Sequence, residues 1–109
     1  MAGSVEEGRV ALVTGSTSGI GLAIAKALAP KVQGLLIHGL GTEEQIKAAI
    51  ECVRKAGTGS LRVEFHGANL TKPEEIKEMV EFCKEKFGKT PDILINNAGD
   101  LLLGGMYKQ

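Results

Sequence analysis

Apolar residues along this chain keep two alternating rhythms. Short runs rich in branched aliphatic side chains predict strands at about residues 9–14, 34–38, 61–66 and 92–95. Between these runs the apolar positions recur at helical spacing. Ile20, Ile24, Ala27 and Leu28 predict a first helix over about 20–29, with that stripe facing a sheet. Pro30 stops it, because proline lacks the N–H and disfavours helix in the residue before it. A second helix opens on Thr42 as N-cap, with Gln45 completing a capping box. It carries the stripe Ile46, Ala49, Ile50 and Val53 and ends at Gly57. A third starts at Thr71, with Glu74 in the capping-box position and Pro73 in the first turn. Its stripe is Ile76, Met79, Val80, Cys83 and Phe87, closed by Gly88.

Strand and helix thus alternate without interruption, and crossovers of this kind demand a parallel sheet with helices on its faces. The expected class is α/β: a partial Rossmann-type, doubly wound parallel sheet of four strands in the order 3-2-1-4, with three crossover helices. Residues 1–99 form that unit, and residues 100–109 are a tail without readable periodicity. Charged positions on the second and third helices (Glu43, Glu44, Lys47, Lys55, Lys77, Glu78, Lys84, Glu85) read as a solvated face.

Composition narrows the classes. A length of 109 residues allows one small domain, and 43% hydrophobic with 24% charged residues suits a globular protein. Thirteen basic residues balance thirteen acidic ones, which leaves no electrostatic case for nucleic acid. No apolar run reaches the roughly 18 residues of a membrane span. The first eight residues lack the apolar core of a secretory signal. Cys52 and Cys83 fall inside predicted helices without metal-ligand spacing, so they are expected to be reduced and half-buried, as in a cytoplasmic protein. No metal site is expected.

The chemistry concentrates in Thr14-Gly15-Ser16-Thr17-Ser18-Gly19-Ile20-Gly21, between the first strand and the first helix. Glycines let a backbone turn tightly and come close to a ligand, and free N–H groups at a helix start suit a pyrophosphate. The strand-before, helix-after context is the one a dinucleotide fingerprint requires. The spacing T-G-x-x-x-G-x-G, together with Asn96-Asn97-Ala98-Gly99 after a later apolar strand, resembles the short-chain dehydrogenase/reductase family. Within it, the wording of residues 10–21, of Leu36-Ile37-His38-Gly39 and of Gly67-Ala68-Asn69-Leu70 is most similar to D-3-hydroxybutyrate dehydrogenases. The resemblance covers about residues 8–99.

It implies an oxidoreductase that moves a hydride between a nicotinamide dinucleotide and a small hydroxy acid. The implied cofactor-binding residues are Gly15, Ser16, Thr17, Ser18, Gly19, Ile20, Gly21, Leu40, Asn69, Leu70, Asn96, Ala98 and Gly99. Asn69 stands where the family usually has an aspartate for the adenine amino group. It either accepts weakly there or bonds local backbone. The family implies that Asn97 ties its loop back to the sheet. Leu40 stands near the ribose hydroxyls, where an acid would select NAD and an arginine NADP. Neither charge is present, so NAD is favoured over NADP because nothing would neutralise a 2′-phosphate. His38 and His66 end their strands with no nucleophile nearby and read as hydrogen-bonded structural histidines.

The family's proton chemistry uses an upstream serine and a Tyr-x-x-x-Lys pair on one helix face. Tyr107 is the only tyrosine, its neighbour is Lys108, and no serine follows Ser60. No catalytic residue is therefore assigned, and the expectation is a truncated product that is inactive alone. The alternative is a non-catalytic nucleotide-binding or regulatory module that pairs with a full-length homologous subunit through the open edge of the fourth strand.

Overall fold

The computed structural model describes residues 8–98. It is built from β1 (Val10–Val13), α1 (Gly19–Leu28), β2 (Gly34–His38), α2 (Glu43–Ala56), β3 (Arg62–His66), α3 (Pro73–Phe87) and β4 (Ile93–Ile95). The four strands form one parallel sheet in the order β3-β2-β1-β4, as the crossover pattern predicts.

The central strands are buried on both faces, which explains why they read as unbroken apolar runs rather than as alternating ones. Ala11, Val13, Leu35, Ile37 and Val63 point to one face and pack under α1 and α2 through Ala25, Ala49 and Val53. Val10, Leu12 and Leu36 point to the other, under α3 through Met79 and Cys83. Leu35, Leu36 and Ile37 are fully buried. Each such side chain contributes on the order of 1.5–3 kcal/mol to holding the layers together.

Several local expectations change. The buried face of α1 is Gly21, Ala25 and then Ala29, with Leu22, Ile24 and Leu28 half-buried beside it. Ile20 is 74% exposed and Ala27 is exposed too, so neither faces the sheet. The α-helix does stop ahead of Pro30, at Leu28, and passes into a 3₁₀ turn, Ala29–Lys31, that accommodates the proline early in the turn.

The capping box of α2 forms in both directions, Gln45 N–H to Thr42 Oγ at 3.1 Å and Thr42 N–H to Gln45 Oε1 at 2.9 Å. That of α3 does not. Its N-cap is Lys72 with no side-chain bond, because Thr71 donates both its N–H and its hydroxyl to Asn69 Oδ1. Glu75, one residue beyond the expected position, accepts the Asn69 N–H at 2.8 Å. Both cysteines are free, but neither is half-buried: Cys52 is exposed and Cys83 is buried.

At the base of the sheet, the Asp92 carboxylate accepts the Val10 N–H at 2.8 Å and the Lys89 ammonium at 2.9 Å. That pins the start of the edge strand β4 to β1. Among the described residues no helix is long and apolar enough to cross a membrane, and no cluster of metal-binding side chains occurs.

Candidate functional site

Four segments meet at the carboxyl ends of the strands: the loop of residues 14–18 after β1, His38-Gly39-Leu40 after β2, Gly67 to Leu70 after β3, and Asn96 to Ala98 after β4. In open α/β sheets ligands settle at this edge, where the strand order reverses. The reversal here lies at β1, flanked by β2 and β4.

The glycine loop is held from three sides. Ser16 is fully buried, and its hydroxyl donates to Val13 O at 2.7 Å and accepts the His38 N–H at 3.0 Å. Its own N–H donates to His38 O at 2.7 Å, so Ser16 shapes the loop with both of its polar groups engaged internally. Thr17 reaches across and donates its hydroxyl to Leu40 O at 3.1 Å. On the other side, Asn97 Nδ2 donates to Gly15 O at 3.0 Å, the tie that the family resemblance assigns to this asparagine. Thr14 Oγ accepts the N–H groups of Asn97 and Ala98 at 3.0 and 2.9 Å.

The three glycines serve different ends. A Cβ on Gly15 would stand 2.7 Å from Ala98 Cα, and one on Gly21 would overlap Gly15 O and the Asn97 amide. Those two positions are small so that the protein can close on itself. Gly19 adopts φ +59°, and a Cβ there would meet nothing within 4 Å. It alone opens onto free space.

The start of α1 is also left uncapped. Ser18 makes no side-chain bond to the helix, and the first amide to find an acceptor is that of Leu22, with Ser18 O at 3.2 Å. The amides ahead of it, at Gly19, Ile20 and Gly21, are those an α-helix leaves without intrahelical partners. They carry the positive end of the helix dipole, with Gly19 and Ile20 exposed and Gly21 buried against the loop. An uncapped helix start of this kind can receive an anion.

The remaining candidates line the site unequally. Ile20 and Leu40 are exposed, Leu40 at 83%, and residues 39–42 carry no cation. Asn69 is exposed, but its Oδ1 already takes two donations from Thr71, and Leu70 is buried beneath it. Asn96 is exposed and Ala98 half-buried against Gly15. Gly99 lies outside the described residues, as do Tyr107 and Lys108.

His38 is 4% exposed and hydrogen-bonded at both nitrogens: Nδ1 accepts the Gly15 N–H at 3.0 Å and Nε2 lies 2.8 Å from Ala68 O. This agrees with a structural histidine. His66 does not reach that state, since its buried Nδ1 has no partner and its ring instead packs on Phe82 at 5.0 Å. Thr14 opens the T-G-x-x-x-G-x-G spacing, but its part in joining the two loops through Asn97 and Ala98 is not read from that spacing. The signal for Thr14 is a hydroxyl ending an otherwise aliphatic strand.

An α/β half-sheet with a glycine loop and an uncapped helix at its switch point defines a dinucleotide-binding class of protein. The family profile described as short chain dehydrogenase matches residues 9–107. The chain belongs to the short-chain dehydrogenase family. It is 49% identical over 92 residues to a D-beta-hydroxybutyrate dehydrogenase of Cupriavidus necator, covering 84% of this chain and 34% of that enzyme. A D-beta-hydroxybutyrate dehydrogenase of Rhizobium meliloti is 44% identical, with 84% and 34% covered. Among solved structures, L-sorbose reductase of Gluconobacter frateurii, complexed with NADPH and L-sorbose, superposes with a TM-score of 0.73 at 33% identity. That match covers 86% of this chain and 34% of the reductase. The chain therefore spans about a third of the length of these relatives.

Proposed function

We propose that this chain is the NAD-binding portion of a short-chain oxidoreductase similar to 3-hydroxybutyrate dehydrogenase. The bound nicotinamide would supply the hydride acceptor or donor for a small hydroxy acid. The residues of the chain itself bind and orient: Gly19, Ile20 and Gly21 offer amides to the diphosphate, Thr14 and Asn97 fix the loop, and Leu40, Asn69 and Leu70 border the adenosine side. The observation that carries this reading is the uncapped start of α1 beside the open space at Gly19.

NAD is preferred to NADP because residues 39–42 offer no cation to a 2′-phosphate. The sequence carries no Tyr-x-x-x-Lys pair and no serine after Ser60, which supports the reading that the 109-residue chain by itself binds cofactor without turnover. Two free cysteines suit a cytoplasmic setting. Calorimetric titration with NAD and NADP tests the cofactor assignment, with tighter binding of NAD expected and tighter NADP binding refuting it. Absorbance at 340 nm in the presence of 3-hydroxybutyrate should stay flat, and a steady rise would refute the non-catalytic part.

A second reading is favoured by one feature. Among the described residues β4 is a sheet edge with Leu94 56% exposed, beside an apolar groove of about 470 Å³ lined by Leu12, Leu70, Ile76, Met79 and Leu94. An open parallel edge of this kind is a surface for another polypeptide. The chain would then be a binding module that pairs with a full-length homologous subunit. Co-purification with such a relative is expected, and a strictly monomeric chain beside excess relative would count against it.

A further inference from the structure

We propose that His38 is a proton-gated positioning residue for the dinucleotide loop: neutral, it holds Gly15 in place, and protonated, it lets Gly15 go, so that acidification weakens cofactor binding. The inference rests on the dinucleotide reading of the loop and adds a regulation that this reading does not contain.

The hydrogen-bond pattern fixes the protonation state. A backbone N–H can only donate, so the contact from Gly15 N–H to Nδ1 at 3.0 Å requires a bare nitrogen there. The ring proton then sits on Nε2 and is donated to Ala68 O at 2.8 Å. His38 thereby clamps the glycine loop to the segment after β3 across 23 and 30 residues of sequence. A second proton on the ring would set N–H against N–H at Gly15 while leaving the Ala68 bond intact. Only the cofactor side of the clamp would open.

The ring cannot escape by swinging out. It is 4% exposed, and its own backbone is bound to Ser16 by N–H and by carbonyl. Gly15 in turn has no slack, with Ala98 against the position of its missing Cβ and the Asn97 amide on its carbonyl. Displacing Gly15 must therefore shift the loop that leads into the uncapped amides of α1.

The surroundings give an imidazolium no support. The glycine loop faces the ring with the Gly15 amide, the segment after β3 with the Ala68 carbonyl, and β3 with His66, the register partner of His38. His66 is the one titratable group that acts on it among the described residues, and its charge would have the same sign. Burial pushes the His38 imidazole below its ordinary value, the Ala68 carbonyl offsets part of this, and His66 pushes it down further. The sign follows: affinity is complete above the ordinary imidazole range, near pH 6.5, and is lost as pH falls through the lowered value.

The test is NAD titration of the full 109-residue chain at about pH 7.5 and at steps below it that pass through the His38 midpoint found by nuclear magnetic resonance, beside His38→Asn, whose side-chain oxygen can still accept from Gly15 but does not titrate. We expect affinity of the parent to fall once pH drops below the His38 midpoint, by up to about tenfold per pH unit, the limit one proton sets, against less than about twofold over the same steps in the variant. Equal slopes in the two proteins would overturn the proposal. Nuclear magnetic resonance of the ligand-free chain supplies the second readout. The Gly15 amide should titrate with the midpoint of the His38 ring, and a Gly15 amide indifferent to that titration would overturn it. A parent that binds no NAD even at the higher pH would strike at the cofactor reading, while the resonance measurement would still decide the role of His38.

Discussion

Thr14 is the joint between the two halves of the site, and replacing it by valine is the most informative single change in the fold. Its hydroxyl oxygen takes the N–H groups of Asn97 and Ala98. The Asn97 amide has a second acceptor in Ile95 O at 3.1 Å, whereas among the described residues Thr14 is the one acceptor of the Ala98 amide. Thr14→Val keeps the bulk and strands that amide beside a half-buried backbone. An orphaned amide costs about 1–3 kcal/mol, and losing the better of the Asn97 bonds adds up to about 1 kcal/mol. The expected loss is about 2–3 kcal/mol, or on the order of 10 °C in Tm for a domain of this size. Thr14→Ser keeps the oxygen and removes one methyl, for about 1 kcal/mol. Urea denaturation at neutral pH measures both. Because Ala98 Cα roofs Gly15, the valine variant should also bind dinucleotide more weakly than the serine variant. If valine costs no more than serine, the hydroxyl is not the joint and the reasoning fails.

Other expectations follow from burial and charge. Leu36→Ala, in the fully buried centre of β2, should destabilise by about 3–4 kcal/mol in the same denaturation assay. In the native chain, Cys52 should react with a thiol reagent while Cys83 stays silent, since it is buried, donates to Lys89 O at 3.3 Å, and has its pKa raised by burial and by Asp92. The count should rise from one thiol to two on unfolding. The Lys89 ammonium and the Val10 N–H hold the Asp92 carboxyl below its ordinary value. Its contribution is thus present above the ordinary carboxylate range and lost as pH falls through the lowered value. Asp92→Asn should accordingly flatten the acid limb of the stability profile, and an unchanged limb would contradict this.

Legibility in the sequence tracked how local each determinant is. The bounds of β2 coincide with expectation because a strand buried on both faces reads as an uninterrupted apolar run between Gln33 and Gly39. The capping box of α2 was visible because both partners lie within one turn. The face of α1 was misread for a physical reason. A helix that must press against its own glycine loop buries its smallest residues, Gly21 and Ala25, and leaves Ile20 outside. A hydrophobic stripe scores those positions the other way round. At α3 the competing bond was an Asx turn: Asn69 Oδ1 captured Thr71, and the carboxylate that steadies the turn is Glu75 rather than Glu74. The clamps of the site, Ser16 to His38 and Thr14 to Ala98, span 22 and 84 residues. Nothing local in the sequence announces contacts of that range.

The central claim is that backbone amides at the start of α1 grip a diphosphate. Gly19→Asp isolates it, because the position has open space for a side chain and a left-handed φ that aspartate tolerates. The fold should survive while a carboxylate occupies the anion cradle. Calorimetric titration of NAD into the parent and into this variant, with matched circular dichroism spectra, should show binding in the first and none in the second. Equal affinity in the two proteins, or a well-folded parent that binds no NAD, would contradict the claim.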